Sequence, residues 1–265
     1  MNNKKIVFFD IDGTLVDEKT HLIPNSTREA IQTLRSNGHL AFINTGRPLS
    51  EISDLHKSIE FDGYILGCGT HIQYNGKSLL YKSLGKELTK EVASDISKHK
   101  IDGVLEGRYD VYFDKFENIR NKSIHEAIKI HKHEGIYNGN TWYDENADAD
   151  KLVIFLNENS DFTGFHQKYK DVFEFIHRND NFYELVPLGY SKASGIQFII
   201  DYLNIPFENT YAIGDSTNDL SMLKYVAHSI AMGNSTPKLF DMVEYVTSDI
   251  DNDGIFNALK HYKLI

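Results

Sequence analysis

The chain has 265 residues, of which 41% are hydrophobic and 25% charged, and a formal net charge of -10. That balance belongs to a soluble globular protein of one or two domains. Lys and Arg form no long block, which disfavours a nucleic-acid or anionic-membrane partner and leaves room for a small phosphorylated one in a local positive pocket. The single cysteine, Cys68, excludes an internal disulfide and fits a reducing compartment. No charged segment followed by a short apolar stretch opens the chain, and no apolar run reaches spanning length, so a cytoplasmic protein is expected.

In chain order, "KKIVFFD" predicts a short buried strand, because Ile6, Val7, Phe8 and Phe9 favour extended structure and Gly13 marks a turn. Asp10, Asp12 and Asp17 therefore fall at the strand's carboxyl end, where α/β sheets place their sites. "NSTREAIQTLRSNG" predicts a helix with Ser26 and Glu29 as a capping box and Gly38 as its stop. "HLAFINTGRP" follows as a second buried strand, which implies a parallel pair. A helix from Pro48 to Ile59, a strand "DGYILG" and a hairpin at Asn75-Gly76 complete the first part.

Near Ser83 the texture changes. Up to about Pro187, helical stretches such as "KELTKEVASDISKHK" and "SIHEAIKIHKHEG" alternate with "YDVYFD", "DKLVIFLNE" and "NFYELV", strands expected to have one face partly exposed. This predicts an antiparallel α+β insertion. The strand and helix rhythm then resumes with the helix "SKASGIQFIIDYLN", the strand "TYAIGD", the helix "NDLSMLKYV" and the strand "HSIAMG". "STPKLFDMV" begins another helix with Pro237 in its first turn, and "EYVTS" leads to the last helix after Gly254. The expected fold class is α/β: a Rossmann-like parallel-sheet core from residues 1–82 and 188–265, with helices on both faces, interrupted by a domain at 83–187.

"IGDSTNDLSML" repeats the logic of the first acidic stretch, since Asp215 follows a strand directly and Asn218 and Asp219 open a helix. Carboxyl ends of a parallel sheet lie along one edge, so the two stretches can meet there. Adjacent carboxylates repel unless a cation joins them, and hard oxygen ligands select Mg²⁺. Two pieces between them suit phosphate: Thr45 with the Gly46 N–H beside a helix start, and Lys192 in the first turn of a helix.

The segments "DIDGT", "NTGR", "SK" and "GDSTND", in this order, resemble the four motifs of the haloacid dehalogenase (HAD) superfamily, in its Cof-type phosphatase branch. That branch carries a large α/β (C2B-type) cap between the second and third motifs, and the resemblance covers the whole chain. It implies a Mg²⁺-dependent phosphatase of small phosphorylated metabolites, with sugar phosphates foremost and FMN or pyridoxal phosphate behind, acting as a monomer or weak homodimer. By resemblance, Asp10 is the nucleophile that becomes an aspartyl phosphate, and Asp12 the acid and base. Mg²⁺ is held by the Asp10 and Asp215 carboxylates and the Asp12 carbonyl. Thr45, Gly46, Lys192 and Asn218 hold phosphate oxygens, and Asp219 orients metal waters or Lys192. Cys68-Gly69-Thr70 departs from the Asn-Gly-Ala-like turn of that branch. Arg47 reads equally well as a surface ion pair and is left out of the site.

A phosphomutase would use the same nucleophile, and a catalytically idle sugar-phosphate sensor the same fold. The sensor is disfavoured because Asp10, Asp12, Lys192 and Asp215 are all present. Asp249, Asp251, Asp253 and Gly254 match the start of a calcium loop, but Lys260 stands where a bidentate Glu is required. His125, His131 and His133 lack the i, i+4 pairing of a helical zinc site and read as a solvated face. Tyr109, Val111 and Phe113 alternate as one buried strand face would.

Overall fold

The computed structural model describes residues 4–179 and 181–265, which divide into two compact units. One comprises residues 1–46, 54–80 and 191–265; the other comprises residues 47–53 and 81–190.

The first unit opens with β1 (Ile6–Phe9), α1 (Asn25–Ser36) and β2 (Leu40–Asn44), followed by α2 (Asp54–Lys57), β3 (Gly63–Leu66), β4 (His71–Tyr74) and β5 (Lys77–Tyr81). β1 pairs in parallel with β2, and β2 with β3, while β4 runs antiparallel to β3. Asn75 and Gly76 both take positive φ, 47° and 73°, the signature of a two-residue hairpin turn.

The inserted unit contributes α3 (Lys86–Lys98), β6 (Asp102–Glu106), β7 (Val111–Phe113), α4 (Lys122–His133), β8 (Lys151–Phe155), α5 (Phe162–Tyr169), β9 (Phe173–Asn179) and β10 (Phe182–Pro187). Its strands form an antiparallel sheet in the order β7-β6-β8-β10-β9. Both faces are covered across β6, β7 and β8, against the expectation that one would be partly exposed, while the edge strand β9 keeps exposed positions such as Glu174 and His177. On one, Val92 and Ile96 of α3 and Phe165 and Tyr169 of α5 pack over Leu105, Leu152, Ile154 and Leu185. On the other, Ile124 and Ile128 of α4 cover Val104, Val111, Phe113 and Val153. Beside that second cluster, buried Lys151 lies 2.6 Å from Glu106 and 2.7 Å from Glu184, which also meets Arg178 at 2.9 Å. Tyr109 lies outside β7 and is 78% exposed, so the alternation through Val111 and Phe113 does not extend to it.

The first unit resumes with α6 (Lys192–Leu203), β11 (Thr210–Gly214), α7 (Leu220–Tyr225), β12 (His228–Ala231), α8 (Pro237–Phe240), β13 (Tyr245–Val246) and α9 (Gly254–His261). The sheet order is β13-β12-β11-β1-β2-β3-β4-β5. β1 is the switch point: the early strands extend the sheet to one side and the late strands to the other, with β11 parallel to β1. Ile6 and Phe8 of β1 pack with Phe42, Ile65, Ala212 and Ile196 in the core. The carboxyl ends of β1, β2 and β11 thus share one edge, and α6, which returns the chain to start β11, begins there.

Two local expectations fail. The Ser26 and Glu29 capping box is not made: α1 starts at Asn25 after Pro24, which leaves Ser26 inside the first turn without a side-chain cap. The helix expected over 48–59 is broken into a 3₁₀ turn, Leu49–Glu51, and the four-residue α2, because Ile52 is extended at φ -85° and ψ 94°. Ser50 donates to the Gly107 carbonyl at 2.7 Å, and residues 47–53 pack within the inserted unit while α2 stays with the first.

Candidate active site

Asp10 is the first residue past β1 and is tied to β11 by its N–H, which donates to the Ile213 carbonyl at 3.1 Å. Lys192 opens α6, whose amino end is fixed by a capping box between Ser191 and Ser194. Its ammonium, 2% exposed, lies 2.6 Å from Asp10 Oδ1 and 2.6 Å from Asp219 Oδ1. The other Asp219 oxygen accepts the N–H groups of Asp215 and Ser216 at 3.0 and 3.1 Å. Asp219 is therefore committed to holding Lys192 and the turn after β11.

Asp215, half-buried, completes the cluster: carboxylate oxygens of Asp10, Asp215 and Asp219 lie within 4.8 Å of one another. Burial, reinforced by Asp10 and Asp219, pushes the Asp215 carboxyl up to about 8. Burial and then the charge of Asp219 raise Asp10, against the downward pull of Lys192. Burial alone would lower the Lys192 ammonium, but Asp10 and Asp219 outweigh it and hold it charged. With Asp219 so engaged, the Asp10 and Asp215 carboxylates are the hard oxygen donors that suit a divalent cation such as Mg²⁺.

The remaining predicted residues lie in the turns after β1, β2 and β11. Asp12 is half-buried in the turn after β1, close enough to raise the pKa of Asp10. Thr45 and Gly46 follow β2, and buried Thr45 is held by its N–H to the Ile65 carbonyl and its carbonyl to the Cys68 N–H. Asn218 is half-buried beside Ser216, whose hydroxyl donates to its side-chain oxygen. Cys68 adopts φ 53° and ψ 40°, a left-handed conformation better tolerated by Asn, the residue its turn would be expected to carry. Asp249, Asp251 and Asp253 lie on and beside a 3₁₀ turn that follows β13.

Other side chains shape the site without having been predicted for it. Thr14 Oγ1 donates to Asp215 Oδ1 at 3.2 Å, and buried Asn44 Nδ2 donates to the Lys192 carbonyl at 3.1 Å. Gly13, at φ +75°, lies so close to Asp215 that a Cβ would stand 2.4 Å from Oδ2. A Cβ on Gly214 would stand 2.7 Å from Asp219. Thr14 directly follows the "DIDG" segment, a position that could have flagged it; Asn44 carries no comparable signal.

The structure thus gathers two carboxylates around a buried ammonium and sets a third beside them at the carboxyl edge of a parallel sheet, an arrangement that could serve nucleophilic group transfer. The family model for haloacid dehalogenase-like hydrolases matches residues 7–259, and the chain belongs to that family. The chain is 30% identical to YkrA of Bacillus subtilis (strain 168), provisionally named a phosphatase, over 99% of each chain. It is 28% identical to the 5-amino-6-(5-phospho-D-ribitylamino)uracil phosphatase YitU of the same strain, over 97% of each. Among solved structures, the HAD subclass IIB sugar phosphatase BT4131 matches at 28% identity and a TM-score of 0.82, covering 99% of this chain and 100% of that one.

The carboxyl shifts carry a pH consequence. Asp215 titrates near its ordinary 3.8 when unfolded and near 8 when folded, so between those values the folded state binds more protons. Its favourable contribution is complete below about pH 4 and lost as pH rises to about 8. Thermal unfolding of the metal-free chain should show stability falling across that window, and added Mg²⁺ should stabilise more at pH 8 than at pH 5. A Mg²⁺ effect that does not grow with pH would contradict a cation held by these carboxylates.

Proposed function

We propose that this chain is a Mg²⁺-dependent phosphatase that hydrolyses small phosphorylated metabolites, sugar phosphates foremost, through an aspartyl phosphate. The observation that carries this reading is the Lys192 ammonium, 2.6 Å from both Asp10 and Asp219, in a group that also includes Asp215. The family and the phosphatase names of its relatives support the same activity.

Asp10 attacks phosphorus as the bond to the leaving oxygen breaks, and Asp12 donates its proton to that oxygen. Asp12, now ionised, takes a proton from water, which attacks phosphorus and releases phosphate from Asp10. Lys192 holds Asp10 in place and offers positive charge to the phosphate, with Thr45, Gly46 and Asn218 at its other oxygens. Asp10, Asp215 and the Asp12 carbonyl would hold Mg²⁺, which when bound supplies charge between two anions.

Inorganic phosphate release from a panel of phosphorylated metabolites tests this directly. Mg²⁺ should support turnover, a chelator should stop it, and Ca²⁺ should substitute poorly because its larger, looser coordination misplaces the reacting groups. Full activity in chelator would refute the metal assignment, and transfer to a second sugar in place of water would identify a mutase. We assign selection among leaving groups to the inserted unit. Joining Leu80 to Ser191 through a short linker should flatten the preferences seen in the panel, and unchanged preferences in that folded variant would place selection elsewhere.

A further inference from the structure

We propose that Asn234 is a positioning residue for the Asp215 carboxylate, acting through the turn at Gly13 and Thr14; the inference rests on the Mg²⁺-dependent reading above. Asn234 lies in the loop after β12. Its Nδ2 donates to the Gly13 carbonyl at 2.8 Å, and its Oδ1 accepts the Ile250 N–H at 2.9 Å. One carboxamide thus joins three loops distant in sequence: the turn after β1, the loop after β12 and the 3₁₀ turn after β13.

The joined turn is the surface against which Asp215 rests. Gly13 abuts its carboxylate so closely that no Cβ fits, and Thr14 donates to Oδ1 at 3.2 Å. The turn's internal bonds, Gly13 N–H to the Val16 carbonyl and Thr14 N–H to the Ile11 carbonyl, set its shape. Asn234 ties its outer carbonyl to the β12 side of the sheet and so sets its place. Gly13, Asp215, Asn234 and Ile250 line one cleft of about 220 Å³, which puts the clamp and the carboxylate in the same local structure. A shift of the turn moves the donor and the wall that orient Asp215, and such supports tune the affinity of a metal ligand.

The test is calorimetric titration of Mg²⁺ into the wild-type chain and variants well below their melting temperatures, with the metal-free Tm of each recorded. Asn234→Ala should raise the Mg²⁺ Kd roughly three- to tenfold, because the residue is exposed, its two bonds are only partly buried, and water replaces them in part. Asn234→Asp keeps an acceptor for Ile250 but loses the donor to Gly13. It should also weaken binding, although its added negative charge by itself would tighten it. Thr247→Ala removes a buried bond to the Gly254 carbonyl in the same region; it should lower the Tm and leave the Kd unchanged. A Kd in Asn234→Ala equal to that of the wild type would overturn the proposal, as would a Thr247→Ala effect of the same size. If Asn234→Ala does not fold, Asn234→Ser, which adds no charge and is too short to reach both partners, decides by the same criterion. A wild-type chain that binds no Mg²⁺ would instead overturn the metal-dependent reading on which the proposal stands.

Discussion

Asp10→Asn should abolish phosphate release while leaving the chain folded and, without metal, no less stable. The substitution keeps the side chain's shape but removes the charged oxygen that the proposed mechanism sets against phosphorus, and loss of a nucleophile costs on the order of a thousandfold or more in kcat. Stability should not suffer, because burial and the neighbouring carboxylates already disfavour the ionised form of Asp10. Lys192 keeps Asp219 as a partner at 2.6 Å. Phosphate release and thermal unfolding measured on one preparation check both halves. Normal turnover by the variant would refute covalent catalysis through this residue.

Lys192→Met should be damaging in a different way, costing both activity and stability. The ammonium is buried between Asp10 and Asp219, and removing it leaves two buried carboxylates facing each other. Breaking a buried ion pair from one side costs roughly 3–5 kcal/mol, here read by urea unfolding of the metal-free chain at neutral pH. The deficit should grow as pH rises above about 7 and level off below it. Asp10 lies at about 7 beside the ammonium, and without that charge its carboxyl rises further, so above about 7 the folded variant keeps a proton that the folded wild type releases. A deficit independent of pH would mean that lost packing, not exposed charge, is the cause.

The two variants separate the catalytic from the electrostatic duties of one contact. On the proposed mechanism Asp10 is needed for the reaction, while its buried charge is a burden to the metal-free fold that Lys192 offsets.

What the sequence by itself determined is whatever depends on short range. An apolar run ending in Asp places Asp10 after β1 and Asp215 after β11, since side-chain type and turn chemistry act on near neighbours. Asn75-Gly76 specifies its hairpin, and Ser191 caps α6, for the same reason. The capping box at Ser26 and the helix over 48–59 were equally local readings, yet Pro24 moved the first helix start and an extended Ile52 broke the second. The strand alternation expected of the inserted unit gave way once helices covered one face of its sheet and α4 with an ion cluster occupied the other. Only the tertiary structure decided which strand-end groups meet. Asp10 and Lys192 stand 182 residues apart and touch because β1 is the switch point and α6 starts at the same sheet edge. Asn234 is an ordinary loop residue until parallel pairing sets β12 beside β11 and brings it within reach of Gly13, 221 positions away. Local rules set where a side chain leaves its strand, but contacts across the sheet depend on strand order, which is fixed by how the whole core packs.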